Sequence, residues 1–270
     1  MTERIAILAT MSSNLYRTYA EGLIAGFKRH GVKVSLTNLA DTPSEDIVCA
    51  YGWRRVTRLH ALGKKCLITE RGFLGERTHT YWGYGWNGLN GRARYTEVHD
   101  DGARFRKLCP HGLTPWKKPR VERNALVMGQ VRMDSAVAHI NLPQFYKDAF
   151  AAMRSQGYRL KFRPHPLDPN HKVKEVPVTR ATLAEDLNIA DVVVTCNSNS
   201  GVDAVLAGVP TISMDEGSMA WRVSSHNLHQ PEFRPDREAW AHALAWKQFN
   251  KEEVASGLMW DIVRHSMPKD

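Results

Sequence analysis

Val192-Val193-Val194-Thr195-Cys196-Asn197-Ser198-Asn199-Ser200-Gly201-Val202-Asp203-Ala204-Val205-Leu206-Ala207-Gly208-Val209-Pro210-Thr211-Ile212 changes character several times over a short distance. Residues 192–195 are β-branched, mostly apolar and uninterrupted, as in a strand covered on both faces of a parallel sheet. Small polar residues follow, then a helical stretch over 201–207 closed by Gly208, then a second apolar run over 210–214. The order is strand, helix, strand. A buried strand opening into Asn-Ser-Asn-Ser at a helix start brings hydroxyls, amides and unpaired backbone N–H groups to the carboxyl edge of the sheet, where phosphates bind in α/β folds. Ser198, Asn199 and Ser200 are candidate donors to a phosphate, and Asp203 is a candidate for a ribose hydroxyl. An ordinary capped helix between two strands has the same composition, so this stretch alone does not decide function.

The sequence around it repeats the pattern. Residues 124–128 and 159–162 read as strands, 143–156 as a helix, and 182–189 as a helix with Thr182 and Glu185 forming a capping box. The strand at 159–162 runs into Arg163-Pro164-His165-Pro166, a turn stiffened by two prolines that carries a guanidinium and an imidazole to the same edge. Arg163 and His165 are therefore candidates to clamp a diphosphate. Residues 236–249 and 251–265 have helical periodicity and could return across the first half.

Toward the N-terminus, 5–9, 32–37, 46–50 and 65–69 read as strands, with helices at 15–30 and 56–62 ended by Gly31 and Gly63. This is again a parallel-sheet rhythm. It is lost from Glu70 to about Arg123, where Tyr81-Trp82-Gly83-Tyr84-Gly85-Trp86-Asn87-Gly88-Leu89-Asn90-Gly91-Arg92 reads as a long functional loop. Pro110, Pro115 and Pro119, with Lys117 and Lys118 between the last two, suit a joint between domains. The expectation is two α/β domains, 1–123 and 124–270.

Charge is distributed unevenly. The net +9 arises in residues 51–123, which hold 16 basic and 6 acidic side chains, while the rest of the chain is close to neutral. Tyr51, Trp53, Phe73, Tyr81, Trp82, Tyr84, Trp86, Tyr95, Phe105 and Trp116 are interleaved with those cations. Cations neutralise phosphates and rings accept unstacked bases, so the mixture suits a nucleic acid. A solvated basic face over core aromatics reads equally well.

Composition narrows the rest. No apolar run among the 270 residues approaches the roughly 20 that a membrane span requires, and the N-terminus reads as a first strand rather than a signal peptide, so a soluble, cytoplasmic protein is expected. Four cysteines form no CxxC pair and twelve histidines no HExxH motif, so no metal site is expected.

The strand ending in Arg163 to Pro166, the Asn197 to Ser200 turn and Asp203-Ala204-Val205-Leu206-Ala207-Gly208-Val209-Pro210 together resemble the donor domain of GT-B glycosyltransferases, closest to the capsular polysaccharide and Kdo-transferase-like groups. The likeness covers roughly residues 124–215. It implies an α/β protein of two Rossmann-like domains with a cleft between them, the C-terminal one holding a nucleotide sugar. Arg163, His165, Ser198, Asn199 and Ser200 would then hold the donor phosphates, Asp203 the ribose, and Gln130 would lie at a hinge that approaches the donor. Many members carry Glu where this chain has Asp203. A uridine donor is the first expectation, and the His-Pro turn also resembles cytidine-monophosphate-sugar enzymes.

An inverting, metal-independent transferase needs a base from its acceptor domain. Glu70, just past the strand at 65–69, is the first candidate and His79 the second. Glu70-Arg71-Gly72-Phe73 and Trp86 to Ala93 are also similar to bacteriophage proteins, and phages with hypermodified DNA use small GT-B enzymes to glycosylate hydroxymethyl pyrimidines. The acceptor implied is a base in DNA, lifted from the helix, with Arg54, Arg55, Arg58, Trp82, Trp86, Arg92 and Arg94 as its contacts. The alternatives are a polysaccharide or lipid-linked glycan acceptor, a non-catalytic nucleic-acid-binding protein on the same scaffold, and a nucleotide-sugar epimerase.

Overall fold

Two β-sheets order the chain into two units, one formed by Met1–Cys109 with His242–Asp270 and the other by Pro110–Ala241. The computed structural model describes residues 3–9, 14–77, 80–174 and 176–269, with only the backbone of 14–16. In chain order the first unit begins with β1 (Arg4–Leu8), α1 (Asn14–Arg29), β2 (Lys33–Thr37), β3 (Ile47–Tyr51), α2 (Thr57–Ala61), β4 (Lys65–Arg71), β5 (Tyr81–Trp86) and α3 (Ala103–Leu108). The second contributes β6 (Asn124–Met128), α4 (Leu142–Ser155), β7 (Arg159–Arg163), α5 (Leu183–Ile189), β8 (Val192–Thr195), α6 (Ser200–Leu206) and β9 (Thr211–Ser213). Then come α7 (Glu238–Ala245), β10 (Gln248–Asn250), α8 (Lys251–Ala255) and α9 (Leu258–Val263).

The first sheet has the order β10-β5-β4-β3-β1-β2. Its β2, β1, β3 and β4 are parallel, while β5 runs antiparallel to β4 and β10 antiparallel to β5. Ile5, Ile7, Cys49 and Leu67 face Leu23 and Phe27 of α1 and Met259 and Trp260 of α9, and together form one core cluster. Phe27 and Trp260 meet edge to face with centroids 4.9 Å apart. The second sheet, β7-β6-β8-β9, is wholly parallel. Val192, Val193 and Val194 are fully buried, as a strand covered on both faces requires.

Three expectations are corrected. The stretch at 81–92 is not all loop, because Tyr81–Trp86 is a strand whose pleat sorts large residues from glycines. Trp82, Tyr84 and Trp86 pack with the core cluster, and the glycine face lies under rings: a Cβ on Gly83 would come 2.6 Å from Phe73, and one on Gly85 2.9 Å from Tyr95. The division lies at Pro110, not near residue 123. Residues 110–123 are fastened to the second unit, with the N–H of Thr114 donating to Leu206 O (2.9 Å), that of Lys117 to Gly208 O (2.8 Å), and Trp116 Nε1 to Pro235 O (3.0 Å). Finally, the helix expected over 236–249 stops at Ala245, and the residues from His242 onward belong with the first unit.

Candidate functional site

In the second unit, the turns that leave β6, β7 and β8 at their carboxyl ends carry the polar residues singled out in the sequence. Thr195, the last residue of β8, is fully buried, and its hydroxyl accepts the N–H of Ser198 at 3.0 Å. The Ser198 and Ser200 hydroxyls lie 2.8 Å apart, and Ser198 Oγ also accepts the N–H of Ser200 at 3.3 Å. Both serines are half-buried at the start of α6. Asp203 lies in the first turn of the same helix and is also half-buried.

Gln130 is buried beside this turn. The surrounding donors orient its amide with the oxygen accepting the N–H groups of Ser198 (2.9 Å) and Asn197 (3.1 Å). Its own N–H donates to the hydroxyl of Tyr146 at 2.9 Å. Burial pushes that phenol up to about 12, so it stays protonated at neutral pH. Gln130 thus shapes the turn that was expected to meet a phosphate, and its side-chain oxygen occupies two of the N–H groups there.

Arg163 and His165 part company. Arg163 Nη1 donates to Asp186 Oδ2 and to Ala181 O, both at 2.6 Å. Asp186 is 2% exposed, and its other oxygen accepts the hydroxyl of Thr179 at 2.8 Å. The guanidinium expected to clamp a diphosphate is therefore committed to a buried carboxylate that carried no motif in the sequence. His165 is half-buried on the turn, and its Nδ1 accepts the N–H of Leu167 at 3.1 Å, which leaves the Nε2 nitrogen to carry the proton.

The sequence reading missed a second constellation on the same edge. Asp215, just past β9, is 7% exposed. Its Oδ1 accepts from Asn197 Nδ2 (2.9 Å) and from the N–H of Gly217 (2.9 Å), and its Oδ2 meets His139 Nε2 at 2.9 Å. Asn197 Nδ2 also donates to Ala136 O at 2.8 Å. Residues from three turns are thereby tied together, and a lone His and a lone Asp 76 positions apart gave no signal of it. Nearby, a cavity of about 570 Å³ opens along α4, with Tyr146 and Phe150 in its wall and Arg132, Lys147, Arg154 and Lys172 around it.

In the first unit the corresponding edge holds Glu70, half-buried near the end of β4 and paired in register with Gly83 of β5. A Cβ added to Gly52, in the turn after β3, would lie 3.1 Å from Arg55 Nη1 and 3.6 Å from Glu70 Oε1, so both side chains gather over that glycine. Arg55 Nη1 also donates to Tyr51 O at 2.7 Å. His79 lies outside the described residues.

The residues expected to receive DNA divide by burial. Arg54, Arg55, Arg58, Arg92 and Arg94 are exposed, with Arg58 Nη2 held by Ala40 O and Asp41 O at 2.9 and 3.2 Å. Trp82 is half-buried against the core. Trp86 is a correction: it is fully buried, touches Trp260 with centroids 6.2 Å apart and donates from Nε1 to Val263 O at 2.9 Å, so it cannot stack on a base. Phe73, Tyr84 and Phe105 are buried as well.

Among the described residues no group of three or more His, Cys, Asp or Glu is gathered as a metal ion would need, and no helix is long and apolar enough to cross a membrane. Comparison with protein-family models gives no match, and comparison with curated proteins gives none either. Among solved structures the chain is similar to the β-Kdo 2,4-transferase of KpsC from Thermosulfurimonas dismutans, with 14% identity, a TM-score of 0.58, and 96% of this chain and 98% of that one covered. It is equally similar to the β-Kdo 2,7-transferase of the same protein, with 14% identity, a TM-score of 0.58 and coverage of 95% and 98%. At that identity the likeness speaks for fold alone, and the fold is the one expected: an α/β chain of two Rossmann-like units, the GT-B fold.

Proposed function

We propose that the protein is a glycosyltransferase that takes a sugar from a nucleotide donor and passes it to a saccharide acceptor. The observation that carries this reading is the turn after β8, where Ser198 and Ser200 set two hydroxyls at a helix start on the carboxyl edge of a fully parallel sheet. That is where a doubly wound fold binds a phosphorylated ligand. The similarity of the whole chain to two Kdo transferases supports it.

In the proposed reaction the bond between the anomeric carbon and the donor phosphate oxygen breaks, with its electron pair leaving on the nucleotide. The acceptor hydroxyl forms the new bond as its proton passes to a base. Ser198, Ser200 and the Nε2–H of His165 donate hydrogen bonds to the phosphates, which counts most as negative charge develops there. Asp203 takes the ribose. Glu70 is the proposed base, acting with inversion and without a metal. Glu70→Gln is expected to lower turnover at least a hundredfold while leaving nucleotide affinity within threefold, since only the proton acceptor is removed. Unchanged turnover in that variant would eliminate Glu70 from this role.

A second acceptor keeps one observation in its favour. The exposed Arg54, Arg58, Arg92 and Arg94 give the first unit a cationic surface suited to DNA phosphates. The burial of Phe73, Tyr84, Trp86 and Phe105 removes four of the ten rings interleaved with the cations, among them Trp86, one of the two tryptophans expected to meet a base, which is why the saccharide is preferred. The test is mass spectrometry after incubation with uridine- and cytidine-linked sugars, offered either an oligosaccharide mixture or hydroxymethyl-pyrimidine DNA. A sugar increment on the oligosaccharide supports the first reading. An increment on a DNA nucleoside replaces it with the second, and no increment on either, with every donor tried, argues against transferase activity.

A further inference from the structure

The His139–Asp215–Asn197 constellation has no part in the reaction just described, and its construction calls for one. His139 lies between β6 and α4, Asn197 follows β8 and Asp215 follows β9, so three separate turns converge at one edge of the sheet. Two of the links are made by one amide: Asn197 Nδ2 holds both Ala136 O and Asp215 Oδ1. Asp215, 7% exposed, takes three donors and so has little capacity left for a ligand. His139 differs. Its Nε2 is anchored to that carboxylate, while 47% of its side chain remains open to solvent. A carboxylate that fixes one ring nitrogen sets the direction of the other, as the outer-shell carboxylates of ligating histidines do.

Ser198 immediately follows Asn197, so the imidazole belongs to the same turn system as the two hydroxyls, reached through Asp215 and Asn197. We propose that His139 is an anion contact for the phosphates of a nucleotide, bound at Nδ1 as the imidazolium, and that Asp215 is its positioning residue. The ring would then stand between two negative groups, donating from Nε2 to the carboxylate and from Nδ1 to a phosphate oxygen. This gives the site the cation that Arg163, committed to Asp186, does not supply. The inference rests on the nucleotide-donor reading above.

The test is calorimetric titration of UDP and CMP into the full-length wild type, His139→Asn, Asp215→Asn and Ser198→Ala, with uridine and cytidine as phosphate-free partners and thermal unfolding as a check on folding. The expected result is a tenfold or greater weakening of nucleotide binding in His139→Asn, a smaller one in Asp215→Asn, and no change for the nucleosides. A folded His139→Asn protein that binds the nucleotides as the wild type does would overturn the proposal. So would an equal loss for nucleotide and nucleoside, because that is what a merely structural role produces. A wild type that binds neither nucleotide would instead sink the donor reading, and this inference with it.

Discussion

Arg163 illustrates how a side chain can stand at the right sheet edge and still be spoken for. Asp186 is buried within α5, and a carboxylate taken out of water without a partner costs several kcal/mol. The guanidinium of Arg163 and the hydroxyl of Thr179 offset that cost, so Arg163 binds β7 to α5. Arg163→Ala is expected to lower stability by about 3–5 kcal/mol in urea unfolding, the range for breaking a buried pair from one side. Replacing both partners, Arg163→Met with Asp186→Leu, is expected to recover most of that loss, since no charge is then stranded. A variant that loses nucleotide affinity at undiminished stability would return Arg163 to the phosphates. The sequence showed the arginine because proline flanks it, whereas Asp186 looked like one more polar position in a helix. The same holds for Asp215 and His139: pairing across 76 positions leaves no local trace.

The secondary elements were legible where local chemistry dictates them. The valine run became β8, and the capping box at Thr182 and Glu185 formed with both of its hydrogen bonds present. What the local pattern concealed was β10, three residues that form a strand by pairing with β5 across some 165 positions, and β5 itself, whose alternation of rings and glycines passed for loop composition. Glycines also set how closely α1 approaches α8. A Cβ on Gly26 would fall 2.1 Å from the carbonyl oxygen of Val254, a backbone atom with nowhere to go, while one on Gly22 would meet Val254 Cγ1 at an ordinary 3.7 Å. Gly26→Ala is therefore expected to destabilise the protein by about 1–3 kcal/mol through forced separation of the helices. Gly22→Ala is expected to be neutral or to stabilise by up to about 1 kcal/mol through helix propensity. Thermal unfolding of the pair checks both, and equal effects would mean that the close approach is not what Gly26 provides.

For the molecule as a whole, the two units differ in how the chain builds them. Pro110–Ala241 is continuous, and its anchored stretch through Trp116 and Lys117 belongs to it. The other unit is assembled from both ends of the chain, taking Phe249, Val254, Met259 and Trp260 into a core begun by Ile5 and Ile7. A fragment spanning 110–241 is expected to fold alone, with a cooperative urea transition, whereas 1–109 without the residues from 242 onward is expected not to. A folded 1–109 would show that the returning elements are dispensable. The division at Pro110 could not be placed from composition, because prolines mark an anchored segment and a free joint alike, whereas the return of the chain across the first half was readable in the helical periodicity after residue 236. The interrupted unit also separates the order of synthesis from the order of folding. Its first strands leave the ribosome early, then wait while the 132 residues of the other unit are made, roughly 7–26 s at ordinary elongation rates, before Trp260 and its neighbours arrive to cover them. During that interval an unfinished apolar sheet is exposed beside a neighbour that can already be complete, so a nascent chain of this protein depends on chaperones most at its earliest-made part.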